Sequence, residues 1–423
     1  MKDVVKAVFK DLKNSDHIVV RDIKTIKESD FFLATTDGKQ LFDILPIKEV
    51  MKQTKTTTDT LKLSMKIKTS HSLKELSTQE FLTKKKYKII QEISEDAVCK
   101  FMYAKHLERK SYIMIKSVSK AQLAERKQEK NMVREIEALK RTRSGFVVSL
   151  IEILEDDKSF CLFLEPQPNG FLDIFMLSKL PHITESWVAF YVAGVALGLE
   201  HLHRAGFIYR SLCPETVTLD GRLYPKLADC SLCTPTGDLL DIEQNHAMFV
   251  RRPNYAAPEQ LLMLSSAADP AVDWWTLGIF AFELLVGCPP FTDGVPGGGA
   301  NCKKLYDHIL HKPVSFVKTS SSKAFQDLVD ALLEKNPHFR LGGGMKGFGG
   351  ITEHAFFSEQ DINWEDLESG RAASPGTGLQ SSFRRPPPKA PSKARRRRIT
   401  NTIGGSEAKI TVSAPAVGSY GRY

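Results

Sequence analysis

A chain of 423 residues that is 42% hydrophobic buries a core of its own and has room for two or three domains, which excludes a disulfide-stapled mini-protein or a wholly low-complexity chain. Its net charge of +9 is local: residues 371–423 hold 11 Lys and Arg against the single acid Glu407, leaving 48 basic and 49 acidic side chains in residues 1–370. The seven Cys form no paired framework, no apolar run reaches about 18 residues, and Met1-Lys2-Asp3 begins no apolar leader; the expectation is a soluble protein of a reduced, intracellular compartment.

In residues 1–52, Asp30-Phe31-Phe32-Leu33 predicts a short strand, and residues 39–50 an amphipathic helix. With Arg21 and Phe9-Lys10-Asp11-Leu12 they resemble the end of a cyclic-nucleotide-binding domain. About fifty residues are too few for its barrel, and Lys10 stands where that family has Gly. The expectation is a helical extension, with a remnant of such a domain as the alternative. Residues 53–86, rich in Lys and Thr, read as a linker. Strands are predicted at Tyr87–Ile90 and Tyr112–Lys116, and helices at Gln122–Arg141, Glu185–His203 and Phe325–Leu333. Asp361–Glu368 begins a short extension over 358–370, and residues 371–423 form a basic, Pro/Arg-rich tail with the run Arg395–Arg398.

Two stretches carry the chemistry. Ile208-Tyr209-Arg210-Ser211-Leu212-Cys213-Pro214-Glu215-Thr216-Val217 is followed by Leu227-Ala228-Asp229-Cys230-Ser231. Together they resemble the catalytic loop and magnesium motif of a protein kinase. Upstream, Ile113-Met114-Ile115-Lys116 and then Glu135 match that family's phosphate-holding Lys and its ion-pair partner. Downstream, Pro258-Glu259 with Arg340, and Asp273-Trp274-Trp275, match its scaffold. The resemblance over 87–357 is to AGC-group kinases, and within them to cGMP-dependent protein kinase, on Tyr209-Arg210, Gly287-Cys288-Pro289-Pro290-Phe291 and His354-Ala355-Phe356-Phe357. It implies an α+β, two-lobed fold with an antiparallel sheet lobe and a helical lobe.

The frame is kept and the reacting groups are replaced. Ser211 stands for the catalytic Asp, Cys213 for a phosphate-contacting Lys and Thr216 for a metal-binding Asn. A serine hydroxyl is no general base near neutral pH, a loss worth roughly 10²–10⁴-fold in rate. Ser94, Asp96 and Cys99 replace the glycines that fold over the phosphates, with Glu95 alongside, and Phe171 replaces the ribose-binding acid. Met248, Arg251 and Arg252 replace the activation-segment Thr and Gly-Thr.

The expected site is therefore a residual nucleotide site of Lys116, Glu135 and Asp229, with Asp229 the one candidate ligand for Mg²⁺. ATP and Mg²⁺ are not required on this reading and would bind weakly. The expected function is that of a catalytically inactive pseudokinase working as a scaffold or regulatory subunit; the alternative is an atypical Ser/Thr kinase with weak phosphotransfer. Its partners are expected to be proteins of a larger assembly, in the cytoplasm or on the cytoskeleton, a cilium included, with the nucleus open. The tail would rest on an acidic surface: tubulin tails, nucleic acid or anionic lipid. Gly342-x-Gly344-x-x-Gly347 fits a dinucleotide fingerprint by letter and reads as a surface loop.

Overall fold

The computed structural model describes residues 78–375 except 96–97, 110, 127, 180–182, 239–251, 263–267, 293–301 and 317–319, together with two short strands near the N-terminus. Those strands, β1 (Ile18–Val19) and β2 (Ala34–Thr35), pair antiparallel within a first unit, Met1–Lys74. The strand expected at Asp30–Leu33 and the helix at 39–50 lie outside the described residues.

The second unit begins at Glu75. Its sheet is fully antiparallel in the order β3-β4-β5-β7-β6, built from β3 (Tyr87–Glu95), β4 (Cys99–His106), β5 (Tyr112–Ser119), β6 (Leu150–Glu155) and β7 (Ser159–Leu164). Alternation along β4 and β5 puts Phe101, Tyr103, Met114 and Lys116 on one face of the sheet. The other face is closed by a small cluster of Ala104, Ile113, Ile115, Leu154, Cys161 and Phe163 around Leu82. Leu82 belongs to a helix, Thr78–Lys84, inside the stretch that reads as linker. Its packed Leu makes that end of the linker part of the sheet lobe.

The helix expected over Gln122–Arg141 is two: Lys120–Glu125, capped by Ser119, and Glu129–Arg141. Between them Gln128 N–H donates to the Leu123 carbonyl, and no Gly or Pro in the sequence marks the break. In the second helix Met132, Glu135, Ile136 and Leu139 are buried at i, i+3, i+4 and i+7, so Glu135 rides on the apolar stripe.

The helical lobe is centred on Glu185–Arg204 and Ala271–Val286, apolar on nearly every side and buried accordingly. Short strands β8 (Phe207–Ile208), β9 (Val217–Leu219), β10 (Pro225–Leu227) and β11 (Thr234–Pro235) pair as β9–β10 and β8–β11, fixing both ends of the loops that carry Ser211 and Asp229. Helix Lys323–Leu332 starts at the Ser322 cap, and Trp364–Glu368 ends the fold under an Asn363 cap. The Gly342–Gly347 stretch is a loop with no strand before it, although the short helix Phe348–Thr352 follows. Gly342 has φ +87°, and a Cβ there would lie 2.7 Å from the Trp274 ring, so packing explains this glycine without a phosphate.

Candidate functional site

Lys116 leaves the middle of β5 and is wholly buried. Its Nζ lies 2.5 Å from Glu135 Oε1 and 2.7 Å from Asp229 Oδ1. Burial opposes the charge, but Asp229 and Glu135 outweigh it and hold the ammonium above the ordinary lysine range. The three predicted nucleotide-site residues are thus brought together, joined to one another. One bond was not read from the sequence: Asp229, the candidate metal ligand, meets Lys116 directly.

Where a kinase has its glycine loop, the β3–β4 ladder runs on to the pairs Ser94↔Phe101 and Glu95↔Lys100. Glu95 and Lys100 form an exposed ion pair at 2.5 Å, so this carboxylate is partly neutralised and repels an incoming phosphate less than the sequence suggests. Asp96 lies outside the described residues. The Phe101 ring meets the Phe171 ring edge to face, centroids 5.3 Å apart, and Lys116 Nζ stands 5.7 Å from the Phe101 centroid. Both rings are about as buried as the core, at 5% and 3% exposed.

The loop of Ser211 is held from below. Asp273 accepts the Tyr209 N–H at 2.7 Å and the Arg210 N–H at 2.8 Å, and lies 2.7 Å from His203 Nε2. These bonds support Arg210 at φ +59°, a strained conformation for a residue with a side chain. The Arg210 guanidinium donates to Thr234 Oγ1. Ser211 Oγ donates to the Tyr209 carbonyl at 3.2 Å. Thr216 Oγ1 lies 2.8 Å from the Ser211 carbonyl and accepts the Cys213 N–H at 3.1 Å. Tyr209, fully buried, accepts the Asp229 N–H and donates to the Thr216 carbonyl, tying the two loops. Where a kinase has an acid and an amide facing substrate and metal, two hydroxyls here bond to the loop's own backbone. Burial pushes the Cys213 thiol up, with Arg252 nearby pulling the other way.

Arg252 pairs with Glu215, and Tyr255 with Glu283. The Arg252–Glu215 pair escaped the sequence reading, since only space brings the two together. Met248 and Arg251 lie outside the described residues. The scaffold pair is as expected: Arg340 grips Glu259 through both oxygens, at 2.7 and 2.8 Å, and also donates to the carbonyls of Ala271 and Glu334.

Lys116 and Asp229 would be the residues to meet a phosphate and a cation. They are bonded to each other, and Thr216 is turned onto its own loop. Among the described residues no group of three or more His, Cys, Asp or Glu is placed to hold a metal, and no helix is long and apolar enough to cross a membrane.

The sheet lobe, the helical lobe, the Lys116–Glu135 pair and the Asp273-braced loop define a protein kinase, and the family model "Protein kinase domain" matches residues 87–357. The chain belongs to that family, and its similarity to Sgk kinases sets it in the AGC group. It is 29% identical to serine/threonine-protein kinase Sgk1 of Gallus gallus over 335 residues, 78% of this chain and 72% of that protein. Against Sgk1 of Danio rerio it is 31% identical over 293 residues, 68% of this chain and 63% of the relative. Against Sgk2 of Rattus norvegicus it is 31% identical over 277 residues, 65% and 71% of the two chains.

Proposed function

We propose that this protein is a catalytically inactive AGC-type pseudokinase that acts as a scaffold or regulatory subunit of an intracellular assembly. The observation that carries the reading is Ser211: its hydroxyl stands in the place of the catalytic carboxylate and donates to the Tyr209 carbonyl, so no base faces an acceptor hydroxyl. Arg252 on Glu215 and Thr216 on its own loop support it, because each spends on structure a position used for transfer. The test is a phosphotransfer assay with radiolabelled ATP, Mg²⁺ and basic peptides. Incorporation should stay at the level of the Asp229→Asn variant; turnover at the roughly 1–100 s⁻¹ usual for kinases, lost in that variant, overturns the reading.

A second reading, an atypical Ser/Thr kinase of weak activity, is favoured by the retained Lys116–Glu135 pair and by the similarity to the serine/threonine-protein kinases Sgk1 and Sgk2. It requires ATP with Mg²⁺ to raise the melting temperature, and Asp229→Asn to remove that rise. The likeness to cGMP-dependent kinase rests on motifs such as Tyr209-Arg210, and a cyclic-nucleotide role for residues 1–52 requires cGMP or cAMP to bind the purified chain. The basic tail is proposed as a tether to an acidic surface, tubulin tails, nucleic acid or anionic lipid. Partner capture should then fall when 371–423 is deleted and weaken as salt rises.

A further inference from the structure

We propose that Phe101 and Phe171 form a built-in aromatic plug that takes the place of the nucleotide's base and ribose between the lobes. The inference rests on the pseudokinase reading and adds to it a cause for nucleotide exclusion that is shape and not charge.

The kinase glycine-loop pattern is G-x-G-x-x-G-x-V. With Ser94, Asp96 and Cys99 at the glycine positions, its valine falls on Phe101. That residue shares a sheet face with Met114 and Lys116, the face from which Lys116 reaches Asp229 of the helical lobe. Phe171, where the family has its ribose-binding acid, comes from the other wall, on the segment that joins the lobes. The two rings close edge to face, their centroids 5.3 Å apart, with Lys116 Nζ 5.7 Å from the Phe101 ring. Phe101 is 5% exposed, Phe171 3% and Met114 0%. Each ring is bulkier than the residue it replaces, and the two substitutions meet at one contact. Phe101 was not singled out from the sequence because Phe after a strand-like run reads as ordinary core.

Adenosine separates shape from charge, since it lacks the phosphates that Glu95 and Asp96 would repel. Titrated into the full chain with a melting readout, adenosine and ATP with Mg²⁺ should both leave the parent unchanged. The Phe101→Val/Phe171→Ala variant should gain saturable adenosine binding, at least tenfold tighter than any response of the parent. Should the double variant fail to melt cooperatively, Phe101→Val alone carries the test, as it installs the residue of the family pattern. Adenosine binding to the parent, or a folded variant that binds none, overturns the plug and leaves the Ser211 argument standing. Phosphotransfer by the parent that depends on Asp229 overturns the pseudokinase reading itself. A folded variant that binds adenosine and still transfers no phosphate supports both.

Discussion

Arg252 and Cys213 stand where a kinase has Thr and Lys, and the Arg252 cation acts on the Cys213 thiol. Cys213 is buried, with the Arg252 cation close enough to pull against the upward push of burial on its thiol. Restoring the family's lysine alone therefore sets two cations together out of water. Cys213→Lys should cost about 3–5 kcal/mol, the scale of an uncompensated buried charge. Arg252→Thr in the same chain should return part of that loss, because the introduced ammonium then no longer faces a second cation. A double-mutant cycle by chemical denaturation should find a coupling of roughly 0.5–3 kcal/mol; an additive result would show that the two changes are independent. Gln167 poses a different problem. It is fully buried, and neither amide atom has a hydrogen-bond partner among the described residues. Gln167→Leu removes that unpaired amide at similar volume and should stabilise the protein by about 1–3 kcal/mol. A lower denaturation midpoint in the variant would mean that the amide is satisfied in solution.

At the scale of elements, the fold is pinned by a few polar anchors on apolar helices. Arg340 bridges Glu259 and the start of the Ala271–Val286 helix with both partners buried. Glu259→Ala or Arg340→Ala should each cost roughly 3–5 kcal/mol, and the double variant less than the sum. The helix Ala355–Glu359 has a pH-dependent anchor: His354 accepts the Phe356 N–H through Nδ1, which requires that nitrogen to be unprotonated. Burial lowers its pKa below the usual 6.5, against the pull of Asp327 and Glu359. The unfolded chain then binds the extra proton more readily, so this contribution is full above about pH 6.5 and fades as pH falls toward the folded pKa. Melting curves between about pH 5 and 7 should show a loss on acidification that His354→Asn, which keeps the cap, reduces. These anchors also mark what the sequence could show. Arg340, Glu259 and Asp273 were legible because a motif fixes each role, and the helix Glu185–Arg204 because its sequence is apolar almost throughout. The break before Glu129, the Arg252–Glu215 pair and the Phe101–Phe171 contact were not, since each depends on residues brought together only by the fold.

For the kinase-like unit as a whole, the joint between sheet and helices is the group that a kinase would reserve for its nucleotide. Lys116 stands on the sheet, Glu135 on a sheet-lobe helix and Asp229 on a loop of the helical lobe, and all three are buried. One ammonium between two carboxylates thus ties the two lobes to each other. Removing it leaves two acids facing each other away from water, a penalty of about 3–5 kcal/mol or more. Lys116→Ala should lower stability by that amount, and hydrogen exchange should quicken in both Glu129–Arg141 and the loop around Asp229. Replacing all three by Met, Gln and Asn of similar shape should recover much of the loss, since an uncharged set has no repulsion to relieve. If Lys116→Ala instead melts like the parent, the lysine is a spare ligand waiting for phosphate, and the case for an atypical kinase grows at the expense of the pseudokinase.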